Sequence, residues 1–229
     1  MILVVGGSEG IGRALVELLL QKGNHLVVMS RTPKDLPLDE LRFIAHDVHQ
    51  QTLPDLEADH LDGIAYLPGS INLKPFHRLT SEEFTEDFHV NVLGAVKVLQ
   101  TYMPLLKKSD QASVALVSTV AVQQGMPYHS SIASAKGAIE GLVRSLAAEW
   151  APKIRVNAVA PSLVDTPLAQ RLLANDDRRQ KSADRHPLKR IGAPEDIAQT
   201  LAFLLSKESS WISGQILGVD GGLSKLRVS

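Results

Sequence analysis

The sequence predicts an α/β fold of the doubly wound kind, a single domain built on one seven-stranded parallel sheet with helices on both faces. Three observations carry that expectation. Short apolar runs alternate with longer helical patterns along the whole chain, the rhythm of strand–helix–strand units. The strand runs are apolar without a polar alternation, as strands covered on both faces are. The 229 residues, 44% of them hydrophobic, suffice for one sizeable core and fall short of two ordinary domains. Residues 1–229 are therefore read as one unit, without repeat, linker or low-complexity tract.

In order, the strands are expected at Ile2–Val5, His25–Ser30, Phe43–Ala45, Gly63–Leu67, Ser113–Ser118, Ile154–Ala158 and Gln215–Val219. Helices are expected at Ile11–Lys22, Ser81–Lys107, Ser130–Trp150 and Pro194–Leu205. Serines open the second and third, and a proline suited to a first turn opens the fourth. Between residues 162 and 192 the chain turns polar around Asp176-Asp177-Arg178-Arg179-Gln180-Lys181. That run reads either as a solvated surface helix or as a mobile lid, and its place after a strand's carboxyl end favours the lid.

Composition narrows the function classes. With 24 basic and 25 acidic residues interspersed, there is no electrostatic footprint for nucleic acid or an anionic membrane. The absence of cysteine excludes thiolate chemistry. Met1 runs straight into a strand, so no signal segment is expected and a cytoplasmic location is. His46 and His49 flank Asp47 but lack a third ligand at useful spacing, so no metal site is expected.

The turn Gly6-Gly7-Ser8-Glu9-Gly10-Ile11-Gly12 joins a predicted strand to a predicted helix. Its glycines let backbone N–H groups and a helix N-terminus approach a pyrophosphate, the Rossmann-type dinucleotide site, with Gly6, Ser8, Gly10, Ile11 and Gly12 as the binding residues. At the end of the second strand an acidic residue would accept from a ribose 2′-hydroxyl. Here stands Ser30-Arg31, and a guanidinium suits a 2′-phosphate. NADP(H) is the preferred cofactor, NAD(H) a possible one, unless Arg31 is merely solvated.

These features, with Asn91-Val92-Leu93-Gly94, Ile132-Ala133-Ser134-Ala135-Lys136 and Arg155-Val156-Asn157-Ala158-Val159-Ala160-Pro161, resemble the short-chain dehydrogenase/reductase family over essentially the whole chain. The glycine spacing is similar to that family's own, with Val5 where it usually has threonine. The resemblance implies that Asp47 and Val48 meet the adenine, although Asp47 also suits the capping of a turn. Tyr66-Leu67-Pro68-Gly69 replaces the family's Asn-Asn-Ala-Gly, keeping Gly69. Pro161, Val164 and Thr166 are implied at the nicotinamide carboxamide, with Ser162 in a glycine's place. A homo-oligomer, in all a tetramer, is implied as well.

For catalysis the resemblance implies Lys136 on the nicotinamide ribose, Asn91 anchoring a water relay, and Thr119 holding the substrate oxygen with Ser118 as a stand-in. The tyrosine that passes the proton is replaced by Ile132, which marks an atypical member. Tyr128 and His129, eight and seven residues before Lys136, lie about two helical turns away and are the alternative donors if the helix begins that early. The expected function is NADP(H)-dependent hydride transfer to or from a small carbonyl, an alcohol or an activated enoyl compound. The alternative is a dinucleotide-binding sensor or assembly protein that has lost catalysis.

Overall fold

The computed structural model describes residues 1–227. Seven strands form one sheet: β1 (Ile2–Val5), β2 (Leu26–Ser30), β3 (Arg42–Ala45), β4 (Gly63–Tyr66), β5 (Ala112–Val117), β6 (Ile154–Pro161) and β7 (Ile216–Val219). Their order is β3-β2-β1-β4-β5-β6-β7, and every neighbouring pair is parallel. The strand order reverses between β1 and β4, which opens a crevice at their carboxyl ends where ligands of such sheets sit. Each expected strand is present within a residue or so, except that β6 runs three residues further, to Pro161, which pairs with Val219. A proline is tolerated there because it ends the strand.

Successive residues of each strand serve opposite faces, and this period of two divides the interior into two cores. Ile2, Val4, Val28, Ala65, Ala115 and Val159 pack on α1 (Gly10–Gln21) and α6 (Pro194–Leu205). Leu3, Val27, Met29, Ile64, Val114, Leu116 and Val156 pack on the other face. That face is covered by α3 (Gly94–Leu106) and α4 (Ser130–Trp150), preceded by the short α2 (Ser81–Phe88). α2 begins at a reciprocal cap in which the Thr80 hydroxyl accepts from the Glu83 amide and Glu83 accepts from the Thr80 amide.

The helix expected over Ser81–Lys107 is interrupted. Residues His89–Leu93 form a π-helical turn between α2 and α3, where the Gly94 amide reaches back to the His89 carbonyl. The wider turn releases carbonyls that side chains then satisfy. Asn91 Nδ2 donates to Asp87 O at 2.7 Å, and the Tyr66 hydroxyl donates to Val90 O at 2.6 Å. Gly94 is required at this place because a methyl group there would overlap the Tyr66 hydroxyl. The fault in the helix is thus a positioning device for Asn91, as π turns near functional sites often are.

The polar run becomes α5 (Asp176–Arg185), capped by Asn175, whose side chain accepts from the Arg178 amide at 2.9 Å. None of its residues is buried. It is a surface helix tied to the sheet's carboxyl edge, where Arg179 holds Asp165 through two bonds of 2.6 and 3.1 Å.

Candidate active site

At the crevice lies a cavity of about 490 Å³, within the range that holds small ligands. It is lined by the end of β5, Ile11 at the start of α1, the turns after β4 and β6, the start of α4 and one side of α5. Ile11, Gly69, Thr119, His129, Ile132, Lys136, Pro161, Val164 and Thr166 all face it.

Lys136 is the chemical centre of this cavity. It is 7% exposed and its Nζ donates to the Val117 carbonyl, at the end of β5, at 2.8 Å. Burial pulls its ammonium down from 10.5 to about 8, partly opposed by the Asp87 carboxylate. Asp87, 2% exposed, accepts from the Ser131 hydroxyl and from the Ser70 hydroxyl, both at 2.5 Å. The Ser70 oxygen in turn accepts from Asn91 Nδ2 at 2.9 Å. A buried carboxylate so paired and hydrogen-bonded is tolerable, and it ties α2, α4 and the loop after β4 together around the lysine.

Asn91 Oδ1 is buried without a protein partner. A side chain at Gly69 would stand 3.2 Å from that oxygen and 3.7 Å from Lys136 Nζ. Gly69 thus keeps open the space beside both groups, and the orphaned amide oxygen is placed to accept from a water or ligand there.

The two hydroxyls after β5 have different duties. Ser118, buried, donates to the buried Glu140 at 2.9 Å, so its proton is committed inside the protein. Thr119 Oγ accepts from the Ala121 amide at 3.3 Å, which leaves its O–H able to donate into the cavity. Ile132, one helical turn before Lys136 on the same face, is 6% exposed and presents only hydrocarbon. Of the two aromatic candidates upstream, His129 lines the cavity and is the N-cap residue of α4. Its Nδ1 lies 2.8 Å from Pro127 O, which fixes the proton on that nitrogen and leaves Nε2 as an acceptor. Tyr128 precedes the helix in a left-handed conformation (φ 69°), is 57% exposed and lies outside the lining. The condition that would bring it in, an earlier helix start, is not met.

The glycine turn has the shape a pyrophosphate needs. Gly6 and Gly10 have φ of 80° and 52°, and a side chain at Gly12 would overlap the Gly6 carbonyl, so chain and helix start can approach only with hydrogen at that place. The N-terminus of α1 has no side-chain cap and no acidic residue in its first turn, leaving amides and the positive dipole end for an anion. Ser30 Oγ, at the end of β2, is buried and unpartnered, a polar atom placed where the adenine ribose is expected. Arg31 is exposed beside it, and Glu9 of the turn pairs with Lys34 at 3.2 Å. Asp47 Oδ1 accepts from the His49 amide at 3.0 Å, the turn-capping use, while Val48 is half-buried and packs against the core on the α3 and α4 side. Thr166 caps the next short turn by accepting from the Ala169 amide at 3.3 Å. A dinucleotide fits these residues.

Sequence reasoning missed Asp87, Ser70 and Ser131, and it missed a pair on the opposite wall. Ser162 lies 2.8 Å from Nε2 of His186, while His186 Nδ1 lies 2.7 Å from the Ser182 carbonyl. The carbonyl requires a proton on Nδ1, so in neutral histidine the Ser162 hydroxyl donates to Nε2. Asp87 had one available signal, its position four residues before Asn91 on one helical face; the Ser162 and His186 pair spans 24 residues and had none.

A family model described as enoyl-(acyl carrier protein) reductase matches residues 5–224. The L-xylulose reductase of Bos taurus is 34% identical over 230 residues, covering 96% of this chain and 94% of its own. The 3-oxoacyl-(acyl-carrier-protein) reductase of Thermotoga maritima is 30% identical over 238 residues, with 96% of each chain covered. Among solved structures, ligand-free aldohexose dehydrogenase from Thermoplasma acidophilum is similar with a TM-score of 0.90 at 28% identity, over 100% of this chain and 96% of that one.

Proposed function

Given that the chain belongs to the short-chain dehydrogenase/reductase family, we propose that it is an NADP(H)-dependent oxidoreductase in which Ile132 stands where relatives carry the proton-passing tyrosine. Its substrate is a small carbonyl, alcohol or activated enoyl compound. The observation that carries this reading is the buried Lys136 beside the open space at Gly69 and the unpartnered Asn91 oxygen, a polar seat with no other evident structural purpose.

When bound, NADPH would supply the hydride. Gly6, Ser8, Gly10, Ile11 and Gly12 would hold its pyrophosphate, Asp47 and Val48 its adenine, Gly69 and Lys136 the nicotinamide ribose, and Pro161, Val164 and Thr166 the carboxamide. Thr119 donates to the substrate oxygen. Ile132 excludes water at that point but neither gives nor takes a proton, so proton supply falls to another group of the lining, either His129 in its protonated form or the Ser162 and His186 pair. The second reading, a dinucleotide sensor that no longer turns over, is favoured by the same isoleucine. Oxidation of NADPH against a panel of ketones, aldehydes and enoyl thioesters separates the two; binding of NADPH with no turnover on any of them selects the sensor.

Cofactor choice rests on Arg31. A guanidinium on the 2′-phosphate makes a contact that NADH lacks, so NADPH binds about tenfold tighter, equivalent to about 1.4 kcal/mol, and Arg31→Ala removes the difference. Fluorescence titration with both nucleotides measures it, and equal wild-type affinities overturn the assignment. The assembly proposed is the homotetramer implied by the family, with α3 and α4 at one interface and β7 at another; light scattering that gives a monomer at micromolar concentration rejects it. The proposed location is cytoplasmic. Among the described residues no helix is long and apolar enough to cross a membrane.

A further inference from the structure

We propose that the cavity takes a substrate with an anionic head group, a carboxylate or phosphate, seated on Arg178, Lys181 and Arg185 of α5. The inference rests on reading this cavity as the substrate site and goes on to name the class of molecule it admits.

The argument begins with sorting of charge. The chain has 25 acidic and 24 basic residues, yet the residues lining the cavity include Lys136, Arg178, Lys181 and Arg185 and no aspartate or glutamate. α5 alone carries Asp176, Asp177 and Asp184, all outside the lining. Residues 178, 181, 182 and 185 are spaced i, i+3, i+4 and i+7, a single helical face, and all four line the cavity. The helix therefore turns three of its four cations to the cavity, the exception being Arg179, and none of its three aspartates is in the lining.

The face is also held in place. Ser182 accepts from His186 through its carbonyl, and His186, 3% exposed, meets Ser162 on the β6 side. Arg179 on the adjoining face is tied to Asp165. Arg178 donates one bond to the Arg171 carbonyl at 3.1 Å, which orients its guanidinium and leaves further N–H groups. Lys181 pairs with Asp177 at 2.8 Å, where both side chains are more than two-thirds exposed, an interaction that water screens and a ligand can displace. The same cavity is also lined by Ile71, Leu73, Met126, Leu168 and Leu172. A molecule with a short apolar stem and a charged end matches that arrangement, because planar guanidinium groups bind carboxylate and phosphate oxygens in pairs.

One other anion is within reach. Ile11 and Thr166 line the same cavity, and a side chain at Gly10 would meet Thr166, so a dinucleotide pyrophosphate would sit nearby. The experiment separates the two. Calorimetry on the NADP⁺-saturated protein compares 3-oxobutanoate, its neutral counterpart butan-2-one, and inorganic phosphate, for wild type, Arg178→Gln, Lys181→Gln, Arg185→Gln, the triple variant and Lys108→Gln as a control far from the cavity. Expected are binding of 3-oxobutanoate at least tenfold tighter than butan-2-one, a three- to tenfold loss in each single variant, no preference left in the triple, no change in Lys108→Gln, and NADPH affinity within twofold throughout. Competition by phosphate against 3-oxobutanoate assigns the site to anions generally, and its absence to carboxylates. Equal binding of charged and neutral probes, or a preference that survives the triple variant, overturns the proposal. So does a fall in NADPH affinity with the preference intact, which gives the α5 cations to the cofactor. Charge-dependent binding without NADPH oxidation on any carbonyl removes the oxidoreductase reading and leaves the anion seat standing.

Discussion

Ile132→Tyr produces or raises NADPH-dependent ketone reduction, by about 10² to 10⁴, the range that a positioned acid or base supplies. The new phenol stands one turn from Lys136 on the same face of α4, inside the cavity and near the Thr119 hydroxyl. The cationic lysine favours the phenolate and so lowers the phenol pKa. Replacing isoleucine by a larger side chain adds strain of about 1–3 kcal/mol, so a thermal melt belongs beside the kinetics. The assay runs wild type, Ile132→Tyr, Tyr128→Phe and His129→Ala on ketones, aldehydes and enoyl thioesters. Enoyl activity in wild type that vanishes with His129→Ala identifies that imidazole as the donor, whereas Tyr128→Phe leaves all rates unchanged because that ring lies outside the cavity. Wild-type ketone reduction at ordinary enzyme rates, unaltered by any of these substitutions, sinks this account of the site.

Lys136→Met abolishes turnover and at the same time stabilises the protein at pH 7. The folded-state value of about 8 against 10.5 is roughly 2.5 units, on the order of 3 kcal/mol of cost to holding the charged lysine buried. The variant leaves the Val117 carbonyl unpaired, which returns about 1–3 kcal/mol, so the net gain is roughly 0–2 kcal/mol. The sign follows from proton counts: between pH 8 and 10.5 the unfolded chain keeps a proton on this lysine that the folded protein has released. Wild-type unfolding free energy therefore rises with pH through that window relative to the variant, and the gap between them closes. Below pH 8 both states hold the proton and the gap is constant. Denaturant melts of both proteins from pH 7 to 10 measure this; a variant less stable at pH 7, with a difference independent of pH, contradicts it.

What could be read from the sequence was whatever repeats within a few residues. Strand runs of three to six residues, the glycine spacing after β1 and the Ile132 to Lys136 spacing are local; in the structure Lys136, Thr119 and His129 line one cavity, and Asn91 lies beside Gly69 with Lys136. Helix continuity failed at His89–Leu93 because both flanks carry helical periodicity; the Tyr66 hydroxyl that takes up the Val90 carbonyl there comes from a strand more than twenty residues away. The roles of Ser118 and Thr119 could not be ranked from their adjacency, since the choice is made by Glu140 on α4. Asp87 is one of four acids in α2, and only the approach of Ser70 and Ser131 shows why it is buried. The same holds for α5, whose charges form a blank polar run in one dimension and a sorted face in three.

That α5 buries none of its own residues separates two properties usually joined. The free energy of a fold comes mainly from apolar surface removed from water, and here that surface belongs to the sheet, α1, α3, α4 and α6. Detaching α5 breaks a few polar bonds at Asp165 and Ser162 and uncovers almost no hydrocarbon of its own, so local opening of this segment is far less costly than global unfolding. The floor of the cavity is as rigid as the protein, its roof only as firm as a handful of hydrogen bonds, and ligands can be admitted and released without disturbing the parts that keep the chain folded.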